Sequence, residues 1–588
     1  MTKTGFERRH VPLFNRDFFR SPEPVTRIGE GELGGKARGL VLIRDLLTSE
    51  FDASRFPEVQ VYVPKMAVIA TDVFDAFLER NGLRETALSD AQDDRIVDSF
   101  LRAELPAEFL GDLRALVEEV HTPLAVRSSS LLEDALFRPF AGVYETKMVP
   151  NNQPDADTRF RKLVEAIKFV YASTYFKNAK SYIRATEQTS ADEKMAVIIQ
   201  EVVGERHGER FYPGVAGVGR SYNFFPSQGV DPKDGVVNLA LGLGKTIVDG
   251  GSSWIYSPAR PKAPAPFNSI REILRLTQLD FWAVNMGTPP AYDPTAETEY
   301  LVKSDLKAAE YDDTLSGIAS TYDPRRDRLV PGTAAEGPRV VDFAPLLVHS
   351  NTRLNDVIQE LLSMGERTLG EAVEIEFAIN LPRKNTTGTR FGFLQLRPML
   401  VSTEEVDVGD DELARPDVLL ASDRVMGNGM LQTIRDVVYV KPEPFESRFT
   451  QRIATDLEQL NRSLLQEARP YLLIGFGRWG SSDPALGIPV NWGQIAGARV
   501  IVESTLPGMD VEPSQGAHFF HNIVSFQVYY LCVRHQGGSV VATRSIDWDW
   551  LDRQSIVTET DHVRHVRLEK PLNVKVDGRS GRGAVWHP

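Results

Sequence analysis

Two short segments hold the side chains best suited to chemistry. In VEIEFAIN (373–380), Glu374 and Glu376 lie two apart, so a strand puts both on one face and Ile375 and Phe377 on the other. In FGFLQLRP (391–398), Gln395 and Arg397 share a face in the same way, with Leu394 and Leu396 opposite. The turn residues NTTG between the segments favour an adjacent antiparallel pair. One face then carries two carboxylates, an amide and a guanidinium. Paired carboxylates suit Mg²⁺, which takes one or two of them together with substrate phosphates. A solvated sheet face is the plainer reading. The functional reading is favoured because two other segments are suited to phosphate.

The first of these is LGGKARGL (33–40), where two glycines ahead of Lys36 let backbone approach a ligand and the ammonium meet phosphate as a point charge. A glycine turn with a solvated lysine is the alternative. The second is PLAVRSSSLLEDALFRPFAGVYET (123–146), a short apolar strand running into Arg127 and three serines. A guanidinium at a strand end offers a planar fork to phosphate oxygens, and hydroxyls add donors. A polar turn with Arg127 paired to Glu133 or Asp134 fits equally well.

Three further motifs read as decoys. LALGLGKTIVDGG (239–251) ends like a P-loop, but the position five before Gly244 is Leu239 rather than glycine, and Gly250 and Gly251 argue against a following helix. GFGRWG (475–480) has dinucleotide-loop spacing, yet SSDPALGIP after it cannot supply the helix and Trp479 is too bulky, so it reads as a loop. His562 and His565 in DHVRHVRLE lack companion ligands and read as a strand edge.

The elements that must position these residues alternate. ARGLVLIRDLLTSEF has helical spacing and VQVYVPKMAVIA is strand-like. TDVFDAFLERNGL reads as a helix capped by Thr71, and residues 159–184 read as one long amphipathic helix. MAVIIQEVVG, VVNLALG and VEIEFAIN are short buried strands, which makes the class α/β or α+β. The acidic, proline-ended VSTEEVDVGDDELARP (401–416) is the expected domain boundary, and the tail DGRSGRGAVWHP is expected to be mobile.

The 588 residues suit about two to four domains. The composition is 42% hydrophobic and 25% charged, with a net charge of −14 that argues against a general nucleic-acid binder. The single Cys532 leaves no internal disulfide framework or cysteine-based zinc cluster, and such usage fits a reducing compartment. The N-terminal residues have no apolar signal region and no stretch is apolar enough to span a membrane, so a cytoplasmic protein without a membrane partner is expected.

GGKARGL, VPKMAVIATDVFDAFL, LAVRSSSLLED, FAGVYET, YASTYFKNAKSYIR, MAVIIQEVV, LGLGKTIVDGG and EIEF…FLQLRP occur in this order. The series resembles the ATP-grasp nucleotide-binding region of phosphoenolpyruvate synthase and pyruvate phosphate dikinase. The family also includes glucan water dikinases and rifampin phosphotransferases, so the acceptor does not follow. The resemblance implies a 1–25 arm, an ATP-grasp region over 26–400, the linker at 401–416 and a swivelling phosphohistidine-like α/β domain over 417–588. It makes Lys36 and Arg127 phosphate ligands and Glu376 the Mg²⁺ and ribose-side carboxylate, with Glu374 its strand partner. Gln395 and Arg397 match "Q-x-R-P" and face the nucleotide, Gln395 joining Glu376 at the metal, and Gln200 lies beside the adenine. LGLGKTIVDGG becomes a wall of the cleft, with Lys245 where the family commonly has an acid.

Two departures stand out. The family's "SGV-x-F-T-x-x-P" is AGVGRSYNFFP (216–226) here, and the transfer motif "G-G-x-T-S-H-A-A" is replaced by PSQGAHFFHN (513–522). His518 takes the catalytic position, with Ala517 for the hydroxyl residue, Phe519 and Phe520 for the small ones, and His521 as an equal candidate. The stretch after 416 is too short for both a swivelling domain and a pyruvate-binding barrel, so pyruvate is not implied. The expectation is an ATP- and Mg²⁺-dependent phosphotransferase acting on an unidentified small molecule or partner protein, with His518, Lys36 and Arg127 catalytic. A nucleotide-binding regulator or scaffold with a degenerate transfer domain is the alternative.

Overall fold

Proline decides the first architectural question. Pro64 cannot donate to a sheet ladder, and it splits VQVYVPKMAVIA into two strands that join different sheets. The computed structural model describes residues 10–131, 133, 142–185, 193–226, 230–263, 270, 273–274, 277–350, 352–382, 388–401, 406–443, 445–481, 483–506, 518–526, 528–534 and 546–588, without the side chains of 184, 185, 518, 521, 524 and 525. The class is mixed α/β, in two compact units. One comprises residues 1–220, 237–246 and 252–398, and the other 221–236, 247–251 and 399–588.

The first unit contains β1 (Val25–Ile28), α1 (Gly34–Ser49), β2 (Val59–Tyr62), β3 (Met66–Ile69), α2 (Thr71–Arg80), β4 (Leu124–Ser130) and β5 (Thr146–Val149). Then come α3 (Ala156–Ser173), α4 (Lys177–Ala185), β6 (Met195–Glu201), β7 (Val215–Arg220), β8 (Val236–Ala240) and β9 (Trp254–Tyr256). α5 (Leu354–Leu369), β10 (Val373–Asn380) and β11 (Thr389–Pro398) follow. A five-stranded sheet has the order β1-β3-β6-β4-β5, and a six-stranded sheet the order β9-β8-β7-β10-β11-β2. One apolar core takes Leu40 and Ile43 from α1, Val357 and Leu361 from α5, Ile198 from β6 and Ile375, Phe377, Phe391 and Phe393 from β10 and β11. Each such side chain contributes roughly 1.5–3 kcal/mol on burial.

Several expectations change. The helix expected over 159–184 is two, α3 and α4, separated at 174–176. The α3 side of that break buries Tyr171, Ser173 and Thr174, so the chain turns where it packs rather than where the sequence signals a stop. Thr71 does not cap α2. Its hydroxyl accepts from the Glu32 amide instead, and Ala70 occupies the capping position. β4 runs through all three serines to Ser130 instead of ending at Arg127.

The second unit contains β12 (Val418–Ser422), β13 (Val425–Met426), β14 (Asn428–Leu431), β15 (Asp436–Val440), α6 (Thr450–Gln466), β16 (Tyr471–Phe476), β17 (Ala498–Ser504), α7 (His518–Ser525), β18 (Tyr529–Val533), β19 (Ser555–Glu559), β20 (Val563–Arg567), β21 (Asn573–Asp577) and β22 (Arg582–Trp586). A seven-stranded sheet has the order β13-β18-β17-β16-β15-β20-β19, in which β15 to β18 run parallel. A four-stranded antiparallel sheet has the order β12-β22-β21-β14. The expected mobile tail is therefore β22, with Trp586 buried, because the β21–β22 hairpin closes on Gly581 at φ +74°. GFGRWG is not wholly a loop, since Gly475 and Phe476 complete β16 and Arg478–Trp479 forms a short strand. His565 lies on β20, an interior strand rather than an edge.

Candidate functional site

β10 and β11 pair antiparallel with Glu374 opposite Arg397 and Glu376 opposite Gln395. A register shift after Glu376 brings Phe393, not Leu394, opposite Phe377. The bulge removes Leu394 from the alternation expected of it, and its carbonyl is instead turned to a ligand of its own. Glu374 is fully buried between two guanidiniums: Arg397 Nε donates to it at 2.5 Å, and Arg220 Nε, from β7, donates to its other oxygen at 2.5 Å. Arg397 Nη2 also reaches Glu376 at 3.1 Å. Burial pushes Arg220 below the usual arginine range, Glu374 pulls it back and the neighbouring Arg397 adds to the lowering. Sequence reasoning passed over Arg220. The only signal was a charged residue closing the small, apolar VAGVG.

Arg127 approaches this face from the other sheet. Its Nη1 donates to the Gln200 side chain at 3.2 Å and to the Leu394 carbonyl at 2.9 Å, and its Nη2 donates to Gln395 at 3.0 Å and stands 3.8 Å from Glu376. One planar fork thus ties β4 and β6 to β11. Lys36 is positioned by the start of α1. Gly34 has φ +75°, and a Cβ there would fall 1.7 Å from the Ser129 carbonyl, so only glycine lets the helix begin against β4. Lys36 Nζ donates to Glu133 at 2.7 Å and to Ser128 at 3.1 Å, while Ser129 Oγ accepts from the Ala37 amide. Glu133 therefore pairs with Lys36, and not with Arg127 as the turn reading had it. Asp134, Phe140 and Ala141 lie outside the described residues.

The arrangement unites Arg127, Gln200, Glu374, Glu376, Gln395 and Arg397 in one network. Arg127, Lys36 and Glu376 keep 12–14% side-chain exposure where their partners are nearly sealed. Beside Gln200 runs an apolar patch that sequence reasoning missed: Phe211, Leu243, Val284 and Met286 buried, with Met148, Val202, Trp282 and Leu301 half-buried against them. Met148 pairs with Ala125, and Ala125 with Gln200, so the patch begins on the strand face that carries Arg127. No spacing in sequence links these eight residues. Lys245 stands in a four-residue helix and pairs with Glu297 at 2.7 Å.

In the second unit α7 begins at His518, but the side chains of His518 and His521, and residues 507–517 with Ala517 and Gln515, lie outside the described residues. Phe519 and Phe520 are buried. Phe520 meets Phe224, Phe225 and Tyr530 with ring centroids 6.0, 5.9 and 6.1 Å away, and Phe519 meets Trp492 at 6.3 Å. The two motifs that depart from the family pattern, NFFP and HFFHN, thus pack phenylalanine against phenylalanine. Cys532 is buried. Among the described residues no group of three or more His, Cys, Asp or Glu is placed to hold a metal, and no helix is long and apolar enough to cross a membrane.

Cations and amides gathered on a sheet face beside an apolar patch suit a phosphorylated ligand, and comparison with known families gives the domain its class. Residues 30–415 match the family described as "Pyruvate phosphate dikinase, AMP/ATP-binding domain", and the chain belongs to that family. A stretch of 188 residues is 26% identical to "Uncharacterized phosphotransferase YvkC" of Bacillus subtilis (strain 168), covering 32% of this chain and 20% of that protein.

Proposed function

We propose that this chain is an ATP-dependent phosphotransferase of the dikinase type, with ATP held in an ATP-grasp cleft by the network around Arg127. The observation that carries the reading is the Arg127 fork. Its hydrogen bonds go to two amide oxygens and a backbone carbonyl, all neutral, and its one carboxylate neighbour, Glu376, stands 3.8 Å away, so phosphate oxygens can replace the hydrogen-bond partners at little electrostatic cost. Lys36 adds a second cation already oriented by Glu133 and Ser128. The partly buried Met148, Val202 and Trp282, packed on the apolar patch beside Gln200, are the proposed apolar surface for the adenine.

The donor set fits Mg²⁺ as well. Glu376 and Gln395 are opposite each other on paired strands, and a site with few protein ligands that relies on phosphate oxygens is the kind Mg²⁺ uses. When bound it would supply charge neutralisation on the transferring phosphates. Lys36 and Arg127 would do the same from the protein side, and Arg397 and Arg220 would hold Glu374 and Glu376 in register. A histidine of α7, His518 or His521, is the proposed carrier of the phosphoryl group to an acceptor that is a small molecule or a partner protein. Reaction in the cytoplasm is part of the same reading.

The packed phenylalanines favour a second reading, a nucleotide-binding regulator whose transfer helix has become a structural one. Incubation of the purified protein with Mg²⁺-ATP separates the two. AMP with phosphate supports a dikinase, ADP alone a simple kinase or ATPase, and tight binding without turnover the regulator. An acid-labile, base-stable mark on α7 that His518→Ala abolishes and His521→Ala does not would assign the carrier. In calorimetry Glu376→Gln should weaken Mg²⁺-ATP binding with the fold intact, and unchanged affinity would remove Glu376 from the site.

A further inference from the structure

A cavity of about 650 Å³ lies in the first unit at the bottom edge of the five-stranded sheet, where β6 ends and β3 and β4 begin. None of Lys36, Arg127, Gln200, Glu374, Glu376, Gln395 or Arg397 lines it. Along β11, Gly392 lies between Gln395 of the phosphate network and Arg390 of the cavity wall. A Cβ on Gly392 would come 2.5 Å from Val203 Cγ2, so Val203 closes on the strand at the point that divides the two.

The polar groups of the cavity are unevenly satisfied. Arg44 is held by Glu23 and Asp45, and Lys65 Nζ donates to the carbonyls of Phe18, Phe19 and Ser21 at 2.9–3.1 Å. Arg390 is different. The residue is exposed, its guanidinium lies over the Tyr62 ring, 4.7 Å from the centroid, and among the described residues it has no ion pair within contact distance, only the longer-range attraction of Glu201. Across the cavity Glu201 is half-buried; burial pushes its carboxyl up, and a 3.3 Å hydrogen bond from Thr122 Oγ1 with the charges of Lys65 and Arg390 partly offsets this. Asn380 is 7% exposed, its Nδ2 donates to the Gly204 carbonyl, and its Oδ1 is a buried acceptor with no donor among the described residues. A buried acceptor left unmet is costly, so a donor arriving there is favoured. Leu47, Val61 and Val63 supply an apolar wall, and Val202 and Phe211 stand between this cavity and the apolar patch beside Gln200.

We propose that this cavity is a second ligand site, for a free α-amino acid with an apolar side chain. The unpaired Arg390 fork takes the carboxylate, Glu201 and Asn380 Oδ1 take the ammonium, and the side chain lies on the apolar wall. A simple anion would leave Glu201 and Asn380 unmet, and a simple amine would leave Arg390 unmet. Only a zwitterion answers all three.

Calorimetry on the full chain tests this with L-phenylalanine as the probe. L-Phenylalanine should bind saturably, and 3-phenylpropionate and 2-phenylethylamine, each lacking one charge, at least about tenfold more weakly. Arg390→Ala should weaken L-phenylalanine about tenfold and leave 2-phenylethylamine unaffected. Glu201→Gln should weaken L-phenylalanine and leave 3-phenylpropionate unaffected. Thermal melts of both variants check that they fold. Absence of saturable heat with L-phenylalanine, L-leucine and L-tryptophan at millimolar concentration overturns the proposal, as does binding that survives both substitutions. ATP binding on the same samples reports the other network, so the two readings fail separately.

Discussion

Each unit has a buried carboxylate ringed by arginines, and the two rings differ in balance. In the first, Arg127, Arg220 and Arg397 face Glu374 and Glu376, three cations against two carboxylates. In the second, Asp436 accepts from His565 Nε2 at 2.8 Å, Arg567 Nε at 2.9 Å and Arg469 Nε at 2.8 Å, and Glu467 pairs with both arginines, two cations against two carboxylates. The second ring closes on itself at the start of β15 and holds three strand ends together. The first has a cation in excess, which is what an anion site requires. On the proposed reading, similar residues serve structure in one place and binding in the other because of stoichiometry, not composition.

The sharpest way to break the comparison is Glu374→Leu. It leaves Arg220 and Arg397 buried against each other, and loss of one member of a buried ion cluster costs about 3–5 kcal/mol. Urea unfolding should show the destabilisation, and a change under about 1 kcal/mol would mean that Glu374 is not the clamp described.

The two regions should also respond to pH with opposite sign. Glu193, 5% exposed near Glu133, is pushed up to about 7 chiefly by burial. Its folded form binds the proton more tightly, so its contribution to stability is full below about 4.5 and is lost as pH rises to about 7. Glu193→Gln should therefore stabilise the protein at pH 8, by up to about 3 kcal/mol, and have little effect at pH 4. Asp436 is held at about 2 by His565, Arg567 and Arg469 against the opposing effect of burial. Its contribution is present at neutral pH and is lost as pH falls below about 3.8 toward 2, so Asp436→Asn should destabilise at pH 7 and progressively less in acid. Denaturant midpoints across pH that move in the same direction for both variants would refute the contrast.

Arg127→Met should weaken ATP binding by about 1.5–3 kcal/mol, the usual loss for a charge-assisted hydrogen bond, while Arg567→Met should leave ATP affinity unchanged. Equal effects in calorimetry would remove the distinction between a binding ring and a structural one. Smallest of all, Lys245→Ala breaks a partly exposed pair with Glu297 and should alter stability by less than about 1 kcal/mol. A loss of ATP affinity as large as that of Arg127→Met would return Lys245 to the phosphate site.

Much of the candidate site was legible in sequence because it follows a local rule. Strand alternation put Glu374, Glu376, Gln395 and Arg397 on one face, and the structure pairs them as the alternation requires. Local reasoning failed where packing overrode it. Thr71 looked like a cap and bonds Glu32 instead, the 159–184 helix is broken, and the tail is a strand that buries Trp586. GFGRWG was rejected correctly as far as a following helix is concerned, but Lys245–Val248 forms one helical turn where Gly250 and Gly251 argued against a helix, and His565 was placed on an edge because nothing local shows which strand lies outside it.

By itself, then, the sequence determined the alternating elements, the polar strand face, the order of family motifs and the absence of a full P-loop, all of which depend on neighbours within a few residues. The tertiary structure alone decided the rest. Arg127 meets Leu394 and Gln395 across 267 and 268 residues of chain, Arg220 meets Glu374 across 154, and Phe225 meets Phe520. It also decided that Lys36 belongs to Glu133 and that the apolar patch assembles from six separate segments. Such partners are selected by which strands pair and where a bulge falls, and those choices are made by burial of the whole core, a quantity no short window of sequence contains.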